Sequence, residues 1–349
     1  GDWYVNEEKL PGGIAGLAEK VNAEGMEFGL WFEPEMVSPD SDLYRAHPDW
    51  CIHVPGRERT ECRNQLTLDL SRKEVCDYIV ETISHVLDTA NIRYVKWDMN
   101  RHMTEFGSAG LPAERQKEMP HRYMLGLYDV MERIVSSHPE VLFESCSGGG
   151  GRFDPGMLYY MPQTWTSDDT DAVERLSIQY GTSLVYPVST MGSHVSAVPN
   201  HQAGRVTSLK MRGDVAMSGN FGYELDLTSL SQEEKDIIKE QVEQYKELRN
   251  FVPSADMYRL SSPFEKNHTA WMFVSKDGRD IFAACFQVLS EVNPGIRRMK
   301  FTALDPDAMY EVVGEELSYR GDELMQIGLV VDLFGDFQSR TWRLRKQSK

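Results

Sequence analysis

The sequence lacks long apolar runs, basic blocks and closely paired cysteines. No apolar run approaches the roughly 18 residues that a transmembrane helix needs, so we expect no membrane partner. Lys and Arg number 37 against 54 Asp and Glu, and the resulting net charge of −17, without a basic block, argues against nucleic acid as a partner. The five cysteines are irregularly spaced and form no CxxC pair. This pattern favours a reducing compartment, the cytoplasm, and argues against a structural zinc site.

The first residues indicate a piece of a longer protein. The stretch "GDWYVNEEKLPGG" carries no initiator methionine and runs directly into a helix-like segment, with Pro11 near its start and Gly25 near its end. We therefore expect the chain to be a cut or processed part of something larger.

Helix-like and strand-like segments alternate from residue 11 to about residue 250. The helix-like segments are 11–24, 39–47, 71–90, 112–137, 171–181, 202–212 and 230–250. The apolar, strand-like runs are 28–34, 94–98, 141–146, 163–168, 183–189 and 215–225. Such alternation is typical of βα units in a parallel sheet. It predicts a (β/α)₈ TIM-type barrel of which this chain contributes six of the eight strands.

The pattern of predicted secondary structure changes after Pro253. Runs such as "TAWMFVSKDGRDIFAACFQV" and "QSRTWRLR" are short strands separated by Gly, Asp and Pro turns. They predict an antiparallel C-terminal β-sandwich. The domain assignment is therefore 1–252 for the partial catalytic barrel and 253–349 for the sandwich.

Polar residues follow the first four predicted strands at the point where each one ends. They are Trp31, Glu33 and Glu35; Lys96, Asp98 and Arg101; Glu144, Cys146 and the glycines 148–151; and Trp165, Asp168 and Asp169. In a barrel these strand ends converge on the C-terminal face, where active sites lie. Tryptophan faces stack on sugar rings and paired carboxylates cleave glycosidic bonds, so the pattern favours a carbohydrate substrate.

The aspartates also have structural interpretations. Asp98 could be a buried acid paired with Lys96 or Arg101, and its position alone leaves both roles open. Asp171 has the spacing of a capping box with Glu174, so we interpret it as a helix cap. Asp168 precedes that cap at the strand end and is the better candidate for an acid.

The remaining strand-end residues fit supporting roles. Cys146 at such a position is more often a packing residue than a nucleophile, and Glu144 is better placed to support a catalytic group than to act as one. The glycine run 148–151 lacks both the Lys-Ser/Thr of a P-loop and the spacing of a dinucleotide fingerprint. The histidines show no metal-ligand spacing. We therefore expect no cofactor and no metal.

Six ordered motifs carry a resemblance to a known family. They are "GLWFEPEMVSPDSDLYRAHPDW", "RNQLTLDLSR", "KWDMNR", "ESCSGGGGRFDPGML", "WTSDDTDAVERL" and "RGDVAMSGNFGYELDL". Together they resemble the bacterial alpha-galactosidases of glycoside hydrolase family 36 over essentially the whole chain. The resemblance implies a retaining hydrolase that releases terminal alpha-galactose from melibiose, raffinose or stachyose. It also implies a homo-oligomer in the full-length form.

The resemblance implies roles for individual residues. Asp98 in "KWDMNR" matches the family's nucleophile, and Asp168, the first Asp of "SDDTD", matches its acid/base. Beside Lys96, Asp98 should stay ionised, whereas Asp168 must hold a proton, which requires desolvation or a nearby like charge. The family's sugar-holding residues fall on Trp31, Arg63, Lys96, Cys146, Gly148 and Trp165.

The chain also departs from the family's full-length pattern. Full-length members carry an N-terminal β-sandwich and the first two barrel strands, the second of which ends in an acidic pair expected to hold galactose hydroxyls. We do not find these segments in this sequence. Two other functions therefore stay open: a raffinose-synthase-like transglycosylase, and a truncated, non-catalytic remnant that binds galactosides at best.

Overall fold

The computed structural model describes residues 1–347 and divides the chain into two compact units, Gly1–Trp165 and Thr166–Lys349. Among the described residues, no helix combines the length and the apolar character that a membrane crossing requires.

The first unit is a parallel sheet with helices between its strands. Its helices are α1 Gly13–Ala23, α2 Asp42–Ala46, α3 Lys73–Asp88, α4 Met119–Ser137 and α5 Pro155–Tyr160. Its strands are β1 Phe28–Phe32, β2 Met36–Val37, β3 Leu66–Thr67, β4 Ile92–Trp97, β5 Leu142–Ser145 and β6 Gln163–Trp165. Four of them pair in parallel in the order β1-β4-β5-β6, while β2 and β3 form a small antiparallel pair.

The register of these strands aligns the polar residues at their ends. Lys96 of β4 lies opposite Trp31 of β1 on one side and Glu144 of β5 on the other, and Glu144 lies opposite Gln163 of β6. One residue earlier, and so on the opposite face of the sheet, Val95 lies opposite Leu30 and Phe143. Near its carboxyl end the sheet thus carries a mainly polar row on one face and an apolar row on the other.

Helix α3 shows how the sequence covers this sheet. Its buried residues are Val75, Cys76, Ile79, Ile83 and Leu87, which are three or four positions apart after the first pair. This spacing places them on one face of the helix, which packs into the core of the first unit with β4 and α4.

The second unit continues the βα pattern and then becomes antiparallel. Its helices are α6 Ala172–Thr182, α7 Leu209–Ala216, α8 Gln232–Leu248 and α9 Gly321–Gln326. Its strands are β7 Met191–Ser196, β8 Asn220–Glu224, β9 Asp256–Ser261, β10 His268–Val274, β11 Asp280–Gln287, β12 Arg298–Met299, β13 Met309–Val312, β14 Ser318–Arg320, β15 Leu329–Val330 and β16 Gln338–Lys346. Strands β7 and β8 pair in parallel. A six-stranded antiparallel sheet has the order β14-β13-β16-β11-β10-β9, and β12 pairs with β15.

Strands β10 and β11 are covered on both faces. Met272 and Ala283 belong to a core shared with β12, β15 and α9, whereas Trp271 and Phe282 belong to a second core shared with α6, α7 and α8. A strand buried on both faces reads as a near-continuous apolar run, which explains "TAWMFV" and "IFAACF".

The fold class predicted from the sequence is confirmed. Four strands pair in parallel in the first unit and two in the second, and an antiparallel domain follows them. The strand predicted at 183–189 is wrong. Leu184 and Val185 are exposed there, and Pro187 has no N–H to donate; the strand is β7, in the polar sequence "MGSHVS".

Other predicted bounds also move. The helix predicted at 202–212 begins only at Leu209, where the hydroxyl of Ser208 accepts a hydrogen bond from the backbone N–H of Met211 at 3.1 Å. The strand predicted at 215–225 shortens to β8, and α5 was not predicted. The domain boundary at 252/253 stays a prediction.

Candidate active site

Asp98 follows β4 directly and is buried at the carboxyl end of the sheet. Its Oδ1 accepts a hydrogen bond from the backbone N–H of Met99 at 2.9 Å. Its Oδ2 accepts from the indole Nε1 of Trp31 at 3.1 Å and from Nδ2 of Asn100 at 2.5 Å. Three neutral donors therefore fix the plane of the carboxylate.

Lys96 is held by groups other than Asp98. Its Nζ lies 3.7 Å from Oε1 of Glu144 and 3.3 Å from the centre of the Trp165 ring, on which it forms a cation–π contact. Among the described residues the ion-pair partner of Arg101 is Glu105, at 3.8 Å. Neither ion pair of the structural interpretation of Asp98 is therefore present in the described part of the chain.

Glu33 links the loop after β1 to Arg63 and Asn100. Its Oε1 accepts a hydrogen bond from the backbone N–H of Asn100 at 3.0 Å and lies 3.9 Å from the guanidinium of Arg63. Its Oε2 accepts from Nε2 of Gln65 at 2.9 Å. Arg63 itself is more than half exposed, so most of its side chain is accessible to solvent or to a ligand.

Cys146 packs under the site as a neutral thiol. Its backbone N–H donates to the carbonyl of Trp97 at 2.8 Å, and its carbonyl accepts from the N–H of Met99 at 3.1 Å. Burial, followed by the neighbouring Asp98 carboxylate, strongly raises the pKa of the Cys146 thiol. A thiol in this state is a poor nucleophile, which agrees with a packing role.

Gly148 brings bare backbone to the site. Its φ of 55° lies in the left-handed region that glycine adopts readily, and its N–H donates to Oδ1 of Asn100 at 3.2 Å. An added Cβ would meet nothing within 4 Å, so the space above Gly148 is open to a ligand. Together with Asn100, Arg101 and Arg152, this glycine lines a cleft of about 380 Å³.

A buried carboxylate supports this arrangement from below. Glu35 is fully buried; Nη1 and Nη2 of Arg152 donate to its two oxygens at 3.0 and 2.8 Å. Trp97 Nε1 donates at 2.9 Å and the Tyr123 hydroxyl at 2.5 Å. Burial, with a smaller effect of Glu35, raises the pKa of Tyr123, which therefore remains a donor. These contacts tie the segments that carry Asp98 and the glycines 148–151 to one anion.

The roles of Asn100, Arg152 and Glu35 were not predicted from the sequence. Asn100 had a local signal, because it lies two residues after a strand-end aspartate and its amide can fold back onto that carboxylate. The pairing of Arg152 with Glu35 had none, since the two residues are far apart in the chain.

Asp168 lies in the second unit, at the start of the loop before α6, and is exposed. No hydrogen bond or ion pair joins it to another residue in the described part of the chain. Asp171 caps α6, as predicted, by accepting from the N–H groups of Val173 and Glu174 at 3.1 Å, and it also forms an ion pair with Arg205. Asp168 therefore has no structural contact of this kind among the described residues, whereas Asp171 caps the helix.

Residues 1–347 contain no group of three or more His, Cys, Asp or Glu side chains arranged to hold a metal ion. The site is instead built from carboxylates, tryptophan rings and open backbone at the ends of parallel strands. This combination is typical of carbohydrate-active enzymes of the TIM-barrel type.

Comparison with known proteins identifies the family. Residues 1–255 match the Melibiase family, and residues 268–344 match the glycosyl hydrolase family 36 C-terminal domain. Alpha-galactosidase AgaA of Geobacillus stearothermophilus is 64% identical over 346 residues, which are 99% of this chain and 47% of AgaA. The chain belongs to glycoside hydrolase family 36.

Solved structures agree with this assignment. A variant of AgaA in complex with raffinose superposes with a TM-score of 0.97 at 62% identity, over 99% of this chain and 48% of that one. A second AgaA variant, in complex with stachyose, also gives 0.97, at 63% identity and the same coverage. The chain thus spans about half the length of the relatives it matches.

Proposed function

We propose that this chain forms the catalytic part of a retaining alpha-galactosidase that acts on melibiose, raffinose and related galactosides. The observation that carries the proposal is the Asp98 carboxylate at the end of β4, fixed by Trp31, Asn100 and the Met99 N–H in a chain of family 36. A nucleophile needs such orientation, because its attack on the sugar succeeds only in one geometry.

The relatives support the choice of the two aspartates. The raffinose complex and the stachyose complex of AgaA each carry an aspartate substitution that the other lacks. Those two aspartates are separated by the same number of positions along AgaA as Asp98 and Asp168 are here. Substituting a catalytic carboxylate is a general way to keep a substrate intact in an enzyme.

The proposed reaction has two displacements. In the first, a carboxylate oxygen of Asp98 attacks the anomeric carbon of the alpha-galactoside, while Asp168 gives its proton to the departing glycosidic oxygen. A beta-linked galactosyl ester on Asp98 and the free aglycone result. In the second, Asp168 removes a proton from water, whose oxygen attacks the anomeric carbon and releases alpha-galactose and the Asp98 carboxylate.

The other site residues bind and orient the sugar in this proposal. Trp31 offers a half-exposed ring face, and Trp165 positions the Lys96 ammonium beside the sugar through their cation–π contact. Lys96 and Arg63 donate hydrogen bonds to hydroxyls, and Cys146 and Gly148 shape the base of the pocket. Asp168 is exposed, so its carboxyl is accessible to the glycosidic oxygen of a bound galactoside.

The test uses sodium azide on variants of the full-length product of the gene that encodes this chain. Asp98→Ala should abolish turnover of an activated aryl alpha-galactoside. Azide should restore part of that turnover and yield beta-galactosyl azide, because the small anion takes the place of the missing carboxylate. With Asp168→Ala the ester on Asp98 still forms from activated substrates, so azide should attack it from the opposite face and yield alpha-galactosyl azide.

The substrate dependence gives a second readout. Asp168→Ala should slow melibiose hydrolysis far more than aryl galactoside hydrolysis, since only the poor leaving group needs a proton. Equal loss on both substrates would count against Asp168 as the acid. The same azide anomer from both variants would contradict the assignment of roles.

The proposal also predicts the distance between the two catalytic carboxylates. In a crystal structure of the full-length gene product, the carboxylates of Asp98 and Asp168 should lie about 5–5.5 Å apart, or slightly more without ligand. A separation of ~6.5–9.5 Å would contradict the retaining stereochemistry, and one beyond about 10 Å would contradict the pairing itself.

The proposal also covers the cellular location and the assembly of the enzyme. We infer a cytoplasmic enzyme that assembles as a homo-oligomer in its full-length form. Transfer of galactose to another sugar, as in a raffinose synthase, is distinguished by measuring hydrolysis and transfer on one donor. A non-catalytic remnant would bind melibiose without turnover even after the N-terminal region of a relative is supplied.

A further inference from the structure

A basic cleft in the antiparallel domain is separate from the residues proposed for catalysis. The cleft has a volume of about 430 Å³. Its charged or ionisable rim residues are Lys266, His268, Arg297, Arg298 and Lys300, and its apolar lining comes from Leu260, Ala270, Cys285, Met299 and Val331. No carboxylate is among the lining residues, in a chain whose net charge is −17.

Buried Gln287 organises the inner end of this cleft. Its Oε1 accepts hydrogen bonds from Nε2 of His268 at 3.1 Å and from Nη1 of Arg297 at 2.5 Å. Its Nε2 donates to the carbonyl of Gly335 at 2.6 Å. Because an amide oxygen only accepts, His268 carries its proton on Nε2, and its ring is fixed beside the Arg297 guanidinium.

Most of the positive charge in the cleft is not neutralised within the domain. Lys266 and Lys300 have no ion-pair or hydrogen-bond partner among residues 1–347, and Arg298 donates only to the backbone carbonyl of Gly328, at 3.1 Å. Arg297 is the exception, since its Nη2 pairs with Glu291 at 2.9 Å. Three side-chain cations thus remain available to a ligand, and a fourth is shared with one carboxylate.

We propose that this cleft binds a phosphate monoester, with the phosphate at the cationic rim and the organic group against the apolar lining. Lysine and arginine donors form strong charge-assisted hydrogen bonds to a dianionic phosphate. Leu260 and Met299 offer apolar surface that inorganic phosphate cannot use. The proposal does not depend on the galactosidase activity, because no residue proposed for catalysis lines the cleft.

Calorimetric titration of the full-length gene product tests the proposal at constant ionic strength. Phenyl phosphate should bind with a dissociation constant below about 1 mM. Inorganic phosphate should bind more weakly, because it lacks the apolar group, and phenol should not bind measurably. Binding of inorganic phosphate as tight as that of phenyl phosphate would overturn the assignment to a monoester.

Variants locate the binding. The double variant Lys266→Gln/Lys300→Gln should weaken phenyl phosphate binding at least tenfold. Glu291→Gln should strengthen it severalfold, because it frees the Arg297 guanidinium. Lys235→Gln, which removes one partly exposed charge from α8 in the same unit, is the matched control and should leave binding unchanged.

Three further outcomes would overturn the proposal. In the first, phenyl phosphate does not bind at concentrations up to 10-fold above the expected dissociation constant. In the second, the control and the double variant weaken phenyl phosphate binding equally. In the third, the double variant binds phenyl phosphate as tightly as the unsubstituted protein does. Lys266, Lys300 and Glu291 are exposed and Lys235 is partly exposed. Melting temperatures equal to that of the unsubstituted protein would show that each of the three variants is folded. Melibiose turnover, measured in parallel, should be the same in all of them.

Discussion

Replacing Glu35 with leucine should be among the most destabilising single changes in the first unit. The carboxylate is fully buried and accepts four hydrogen bonds, two of them from Arg152. Removing one partner of a buried ion pair leaves the other charge without compensation, which typically costs about 3–5 kcal/mol. The Tyr123 hydroxyl and the Trp97 indole would lose their acceptor as well, so we expect the upper half of that range.

The assay is the free energy of unfolding from urea titration, with two comparisons. Glu118→Ala removes an exposed carboxylate that also pairs with arginines, Arg115 and Arg122, and should cost less than about 1 kcal/mol. The double variant Glu35→Leu/Arg152→Met removes the stranded charge and should be more stable than Glu35→Leu alone. A loss for Glu35→Leu no larger than that for Glu118→Ala would refute the reasoning, and so would a double variant that is less stable than the single one.

Three further predictions follow from packing, thiol burial and chain length. Gly126→Ala should lower the free energy of unfolding by about 1–3 kcal/mol, because the new Cβ would lie 1.8 Å from the carbonyl oxygen of Leu70. Gly16→Ala, within α1 and with no atom within 4 Å of its Cβ, should raise that free energy by up to about 1 kcal/mol in the same urea titration. Iodoacetamide should alkylate exposed Cys62 rapidly in the native protein and the other four cysteines only after unfolding; labelling of Cys146 as fast as Cys62 in peptide mass spectra would contradict its assignment as a buried neutral thiol. The chain expressed alone should self-associate and hydrolyse melibiose far more slowly than full-length relatives; a monomeric product with rapid turnover, seen by light scattering and a galactose assay, would contradict the expected need for the N-terminal strands.

The sequence predicts the first four strands of the parallel sheet because their apolar cores are followed by polar residues. Val95 and Trp97 are buried, and Asp98 begins the polar run, so "YVKWDMNR" contains both the strand and its end. Strand β7 could not be found in this way. Its buried residues include Gly192 and Ser193, whose side chains are small or polar, while Leu184 and Val185 of the apolar run before it are exposed in a turn.

In the candidate site, too, some residues could be predicted from the sequence and others could not. Asp98, Lys96 and Trp31 could be proposed from the sequence, because each sits at the end of a predicted strand and parallel strands bring their carboxyl ends to one edge. The contacts that hold them could not. Glu35 meets Arg152 only through the packing of distant segments, and nothing in the local sequence of either residue specifies that partner.

In the proposed reaction, the Asp98 carboxylate attacks the anomeric carbon of the galactoside. The most direct test treats the full-length gene product with a fluorinated alpha-galactosyl fluoride. With this substrate the covalent galactosyl-enzyme forms faster than it is hydrolysed, so it accumulates. Peptide mass spectrometry after proteolysis should find one galactosyl adduct, on the peptide that contains Asp98, and none after Asp98→Ala. An adduct on another carboxylate, or complete inactivation without an adduct in the unsubstituted protein, would contradict the account.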